Sequence, residues 1–338
     1  MLRMVFFLKG STGSSEKELS YYGTATALSV ARMYLAGVSV GDYALFGGGM
    51  NDESAFTTVD AYNTSLTRST PTALSAGRYG LAGVSVGDYA LFGGGTDNVS
   101  MLTTVDAYNT SLTRSTPTAL SAGRYFLAGA SVGDYALFGG GYGGSYSDVV
   151  DAYNTSLTRS TPTALSVGRY FLAGASVGNY ALFGGGTNNE SMFTTVDAYN
   201  TSLTRSTPTA LSAGRYFLAG ASVGDYALFG GGYGGSYSDV VDAYNTSLTR
   251  STPTALSVAR YFLAGASVGD YALFGGGTND ESTLTTVDAY NTSLTHSTPT
   301  ALSVRRGVSA GASVGNYALF GGGFTDSVSG VVDAYEFS

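Results

Sequence analysis

Nine residues, Gly41-Asp42-Tyr43-Ala44-Leu45-Phe46-Gly47-Gly48-Gly49, return with small changes six more times along the chain. The triple glycines begin at Gly47, Gly93, Gly139, Gly184, Gly230, Gly275 and Gly321, a period of 45 or 46 residues. The spacers between them are near-copies of one another too. Repetition at this period excludes most of what 338 residues could otherwise form, two or three unrelated domains included. Each unit must offer the same surfaces to its neighbours, so the units stack or close into one array.

One unit predicts the local structure. Arg78-Tyr79-Gly80-Leu81-Ala82-Gly83-Val84-Ser85-Val86 reads as a strand, and Gly87-Asp88 as a two-residue primed turn, because glycine accepts positive φ. Tyr89-Ala90-Leu91-Phe92 is a second strand, apolar on both faces, and therefore covered on both. Gly93-Gly94-Gly95 ends it where a tight bend or a close backbone approach leaves no room for side chains. Thr104-Val105-Asp106-Ala107-Tyr108 is a third strand, Asn109-Thr110-Ser111 a turn, and Thr113 to Leu120 a fourth strand. The fourth contains Pro117, which cannot donate to a ladder, so it belongs at a sheet edge. No segment has a helical period. Four short antiparallel strands repeated seven times predict an all-β fold, a seven-bladed β-propeller.

The ends predict how the array closes. The proline-bearing fourth strand occurs six times, at Pro71, Pro117, Pro162, Pro208, Pro253 and Pro299. Its seventh counterpart is Tyr22-Gly23-Thr24-Ala25-Thr26-Ala27-Leu28-Ser29, which aligns with Arg68 to Ser75 and has Ala25 in the proline position. The N-terminal strand is thus expected to complete the last blade and remove the open edges. Residues 1–20 are expected to be a leader or linker, and 21–338 the propeller, closed and monomeric. The run Met4 to Leu8 after Arg3 is short for a signal peptide and no small-residue cleavage site follows it.

Composition narrows the function. Sixteen basic against 24 acidic residues give a formal net charge of −8, and the only lysines are Lys9 and Lys17. Nucleic acids and anionic membrane surfaces both want a basic patch, so neither is an expected partner. No apolar run is long enough to insert in a membrane as a helix. With no cysteine, disulfides, thiolate zinc sites and cysteine nucleophiles are excluded together, and the compartment stays open.

The residues resemble the kelch-repeat family. In that pattern an apolar strand ends in a glycine pair, followed by a loop, a tyrosine and, further on, a tryptophan. Tyr43-Ala44-Leu45-Phe46-Gly47-Gly48 supplies the strand and glycines, and Tyr62 the tyrosine. The tryptophan is absent from every repeat; Arg68, Arg114, Arg159, Arg205, Arg250 and His296 stand near its position. The wording of the repeat also resembles kelch-like proteins of Firmicutes bacteria and their phages. The resemblance covers roughly residues 21 to 338. It implies a propeller whose ligand face carries the loops after the glycines, with acidic peptides recognised there in some members.

Candidate ligand-binding residues fall on that face. Its loops vary, as in Met50-Asn51-Asp52-Glu53-Ser54, Tyr142-Gly143-Gly144-Ser145-Tyr146 and Phe324-Thr325-Asp326-Ser327, while the opposite turns are monotonous. Variation on a rigid scaffold is where specificity is carried. Tyr142, Tyr146, Tyr233 and Tyr237 offer aromatic faces for sugars or peptide. Beside the loops runs a ring of Arg32, Arg78, Arg124, Arg169, Arg215, Arg260 and Arg306. An equally complete ring of Asp60, Asp106, Asp151, Asp197, Asp242, Asp288 and Asp333 gives those arginines two readings, ligand contact or internal pairing.

Catalysis finds little in the sequence. The one histidine, His296, stands where other repeats have arginine and reads as drift from it. Triple glycine lacks the Lys-Ser/Thr and helix of a phosphate loop. The histidines and cysteine-linked tyrosine of kelch-type copper oxidases are missing. Asn279-Asp280-Glu281 lacks the spacing of a calcium loop, and the Asn-Thr-Ser turns match a glycosylation acceptor that matters only in a secreted eukaryotic protein. No cofactor and no metal is expected. The sequence therefore predicts a binding module for a glycan or protein, or, alternatively, a structural or display domain of a larger assembly such as a phage tail or bacterial surface protein.

Overall fold

The computed structural model describes residues 17–280 and 282–338, so the expected leader up to residue 16 lies outside the described residues. The described chain forms seven four-stranded antiparallel sheets arranged as the blades of a propeller. Blade 1 sets the pattern: β2 (Ala36–Val40), β3 (Tyr43–Gly47), β4 (Val59–Asn63) and β5 (Arg68–Ser69), paired in that order. Val40 pairs with Tyr43 across the Gly41-Asp42 turn. Of the two turn residues only Gly41 has a positive φ, +49°, as a type II′ hairpin requires.

Hydrophobic cores lie between blades rather than in one centre. On β3, Ala44, Leu45 and Phe46 have no exposed surface. Ala44 and Phe46 pack against blade 7, and Leu45 against blade 2. The glycine that ends β3 marks a tight contact, because a Cβ on Gly47 would meet the Phe92 ring of the next blade at 2.8 Å. Around the axis a Cβ on Gly83 would lie 2.6 Å from the carbonyl of Gly37, and one on Gly37 would run into that of Gly311. Serines tie the same inner strands together. Ser39 Oγ donates to the carbonyl of Ser313 at 2.7 Å, and Ser222 Oγ to that of Ser176 at 2.7 Å.

Closure follows the expected route. Blade 7 consists of β26 (Ala310–Val314), β27 (Tyr317–Gly321), β28 (Val332–Phe337) and, outermost, β1 (Leu19–Ala25). β1 pairs with β28 from Leu19↔Phe337 to Ala25↔Val332, with a bulge between Tyr21 and Gly23.

The other outer strands correct the sequence reading. Where Thr113 to Leu120 was expected to be a strand, only Arg114–Ser115 pair with their neighbour. The ladder stops two residues short of Pro117, which has no N–H to offer. With alanine in the proline position, β1 runs for 7 residues, so the closing strand is the longest outer strand of the seven blades.

Candidate ligand-binding face

The arginine ring does not reach the surface. Arg32, Arg78, Arg124, Arg169, Arg215, Arg260 and Arg306 are all at 0% exposure, and so are the seven aspartates. Each arginine pairs with the aspartate on the third strand of its own blade, with N–O distances between 2.5 and 2.9 Å. Each also donates to the carbonyl that closes the second strand, as Arg124 does to Phe138 at 3.1 Å. The ligand-contact reading of these arginines is therefore corrected: they are cross-braces inside the blades. Burial pulls the guanidiniums of Arg32, Arg78, Arg124, Arg169, Arg215 and Arg260 down from their ordinary value, and the adjacent carboxylates oppose it.

The second carboxylate oxygen serves the outer strand. Arg114 and Arg159 reach Asp106 and Asp151 at 2.9 and 3.0 Å. His296 Nε2 sits 2.6 Å from Asp288 Oδ1, in the place the arginine takes elsewhere. In blade 7 the Tyr21 hydroxyl of β1 donates to Asp333 at 2.7 Å. One carboxylate thus holds the inner approach and the outer edge of every blade.

Above this charged layer, on the face of the post-glycine loops, the channel mouth carries an aromatic collar. Tyr34, Phe126, Phe171, Phe217, Phe262 and Val308 hold positive φ between 51° and 58°, with Gly80 at 62° in the seventh place. Their backbones form a closed ring. Phe171 N–H donates to Phe126 O at 3.1 Å, and so on round to Tyr34 N–H and Val308 O at 3.3 Å. Such conformations cost non-glycine residues of order 1–3 kcal/mol each and persist only where the surroundings enforce them. Here the inter-blade hydrogen bonds and ring contacts, such as Phe171–Phe217 with centroids 3.8 Å apart, do so. The collar bounds a mouth of about 180 Å³, below which the glycine- and serine-lined channel encloses about 290 Å³.

Outside the collar the four candidate loop tyrosines gather into two clusters. Tyr142 and Tyr146 of blade 3 meet Tyr170, which enters blade 4, with centroids 6.0 and 5.6 Å from it. Tyr233 and Tyr237 of blade 5 meet Tyr261, which enters blade 6, at 6.1 and 5.3 Å. All six are half-buried. Each cluster continues into the collar through Tyr170–Phe171 and Tyr261–Phe262. The Tyr170 hydroxyl donates to Asn189 at 2.6 Å, and that of Tyr237 to Asp280 at 2.6 Å. The bond to Asp280 pushes the Tyr237 phenol up to about 12.

Sequence reasoning finds the loop tyrosines and misses their partners, Tyr170, Tyr261 and the collar phenylalanines. One signal is available: Gly80 occupies the slot that holds Phe in the next four repeats, which marks a backbone position favouring positive φ. The opposite face is as uniform as its sequence. Asn63 Oδ1 accepts from the N–H groups of Ser65 and Thr67 at 3.0 and 2.9 Å, and the same turn recurs at Asn109, Asn154, Asn200, Asn245 and Asn291. Among the described residues no group of three His, Cys, Asp or Glu side chains could hold a metal ion, and no helix is long and apolar enough to cross a membrane.

No family model matches the chain, and no curated protein matches it. Solved structures do. That of YjhT aligns over 92% of this chain and 95% of its own, with a TM-score of 0.59 and 13% sequence identity. At that identity the likeness speaks for the fold: the chain is a seven-bladed β-propeller similar to YjhT.

Proposed function

We propose that this chain is a non-enzymatic binding module whose ligand, a glycan or a protein, lies on the face of the post-glycine loops. The observation that carries the reading is the aromatic surface on that face. It comprises a collar and two flanking tyrosine clusters on a rigid scaffold, facing away from a side whose asparagine turn is the same in six of the seven blades. A propeller is a common binding scaffold, and the kelch-like glycines and tyrosine of the repeat agree with that use. The ligand is not acidic in this reading, because every arginine among the described residues already lies within ion-pair distance of an aspartate. Even exposed Arg305 pairs with Asp326 at 2.9 Å.

A glycan array probed with the purified chain, beside a pull-down from a Firmicutes culture or phage lysate, tests the reading. Specific capture abolished by Tyr146→Ala/Tyr237→Ala is the expected result. Capture that survives the double substitution would move the ligand off this face. A propeller that binds nothing in either assay and copurifies only as part of a larger particle would instead favour the structural or display role.

A further inference from the structure

The two tyrosine clusters are copies of one another, built from the same eight-residue loop. Tyr142-Gly143-Gly144-Ser145-Tyr146-Ser147-Asp148-Val149 in blade 3 is repeated as residues 233–240 in blade 5. The copies agree in geometry as well as in sequence. The Tyr146 and Tyr170 rings are 5.6 Å apart at 35°, and those of Tyr237 and Tyr261 5.3 Å apart at 34°. At the loop tips Gly144 and Gly235 have φ of +92° and +93°, and a Cβ added to either would meet nothing within 4 Å, so both tips border open space. Blade 7 has a loop of the same length, but Phe324 and Val328 stand where the first and fifth residues are tyrosines, and no tyrosine cluster forms there.

We infer that these clusters are two equivalent subsites for a neutral saccharide, two blades apart, through which one chain holds a polysaccharide at two points. The inference rests on the binding-module reading above and adds the ligand class and the number of sites. Half-buried aromatic rings offer faces to the C–H side of a pyranose, while their hydroxyl edges meet sugar hydroxyls. The two rims differ in one bond: Asn189 accepts from the entry tyrosine Tyr170 in one cluster, and Asp280 from the loop tyrosine Tyr237 in the other. A neutral polymer fits the charge: the chain is at −8, and its arginines are occupied by aspartates. Two sites on one rigid body turn the second contact into an intramolecular one, which strengthens binding to a repeating polymer without any new contact.

Native gels cast with hydroxyethyl cellulose, xylan, galactomannan or starch, with alginate as the charged comparison, identify the polymer. Calorimetry with a hexasaccharide of whichever polymer retards the protein then counts the sites. Tyr146→Val and Tyr237→Val are the variants of choice, because the scaffold already carries valine at that loop position, Val328. The expected result is two hexasaccharide sites in the unaltered chain, one in either single variant and none in the double. Polymer affinity should fall by ~10²-fold in each single variant as avidity is lost. Should a valine variant melt early, Tyr170→Met and Tyr261→Met replace it, since blade 1 has Met33 at that position.

A single hexasaccharide site, or binding that survives in the double variant, would overturn the paired subsites and leave the binding module standing. Retardation by alginate alone, or by none of the polymers, would overturn the saccharide assignment, while a protein captured on the same face in the pull-down would still support the module.

Discussion

Arg169 and Tyr170 are neighbours in sequence and belong to two different regimes. Arg169 has no exposed surface and, like its six counterparts, is held by an aspartate and by the carbonyl of a second-strand phenylalanine; Tyr170, one residue on, lies half-buried among aromatics that only some blades possess. The first position is arginine in every repeat, whereas the second is Met33, Tyr79, Tyr125, Tyr170, Tyr216, Tyr261 or Gly307. What each blade needs in order to fold is satisfied inside it, by one aspartate gripping two strands. What distinguishes the blades lies immediately above, among half-buried side chains of the face that no buried ion pair depends on. The interior should therefore tolerate almost nothing and the face almost anything, and substitutions can test that division in order of severity.

Removing residues 1–25 should cause the largest loss. It strips β1 from blade 7, takes the Tyr21 hydroxyl from Asp333 and leaves β28 as an unpaired edge. Oligomers in size-exclusion chromatography with light scattering and a lowered melting temperature are expected. A monomer that melts like the full chain would show that the interior does not depend on closure.

Asp106→Ala comes next. It leaves the buried guanidinium of Arg78 without its partner and should cost ~3–5 kcal/mol in urea unfolding, whereas replacing both with apolar residues of similar volume should cost far less. Equal losses for the single and double variants would mean that packing, not uncompensated charge, sets the sensitivity. Gly83→Ala, which drives a Cβ to 2.6 Å from the Gly37 carbonyl, is expected to lose ~1–3 kcal/mol by overpacking at the channel wall.

Acid exposes the same layer by a different route. Burial works to raise the Asp288 carboxyl, but Arg260 and the contact with His296 hold it below the ordinary carboxylate value. A carboxyl whose folded value is depressed contributes its stability in full above the unfolded value of ~3.9, and loses it as pH falls through the folded value. The urea midpoint should decline below about pH 4, and the decline should be shallower in Asp288→Asn. Parallel curves for the two proteins would remove this pair from the acid response. At the small end, Tyr146→Val should leave the melting temperature unchanged while reducing polymer binding. A clear drop in stability would break the contrast between face and interior.

How much is legible in the sequence differs between these regions. The glycine period, the count of prolines and Ala25 in the proline position are local facts, and they lead directly to seven blades closed by the N-terminal strand. The length of the fourth strand is not legible in the same way, because a ladder needs the partner's register as well as the propensity of its own residues. Pro117 sets an end that the pattern alone places after it.

The arginine ring shows where the sequence stops. Arg32 through Arg306 and Asp60 through Asp333 are both visible as rings, and nothing in their spacing says whether guanidiniums face a ligand or carboxylates of their own chain. Their 27- or 28-residue separation becomes a contact of under 3 Å only once the blade folds and brings the arginine of the entry segment to the aspartate of the third strand.

The sequence by itself determined the number of units, the strands within each, the glycines at the narrow points and the way the ends meet, because these follow from local period and backbone geometry. Only the tertiary structure decided which charges vanish into the blades and which tyrosines assemble on the face. Tyr146 meets Tyr170, and Tyr237 meets Tyr261, across the junction of adjacent blades, and that proximity is set by inter-blade packing around the axis rather than by any pattern along the chain.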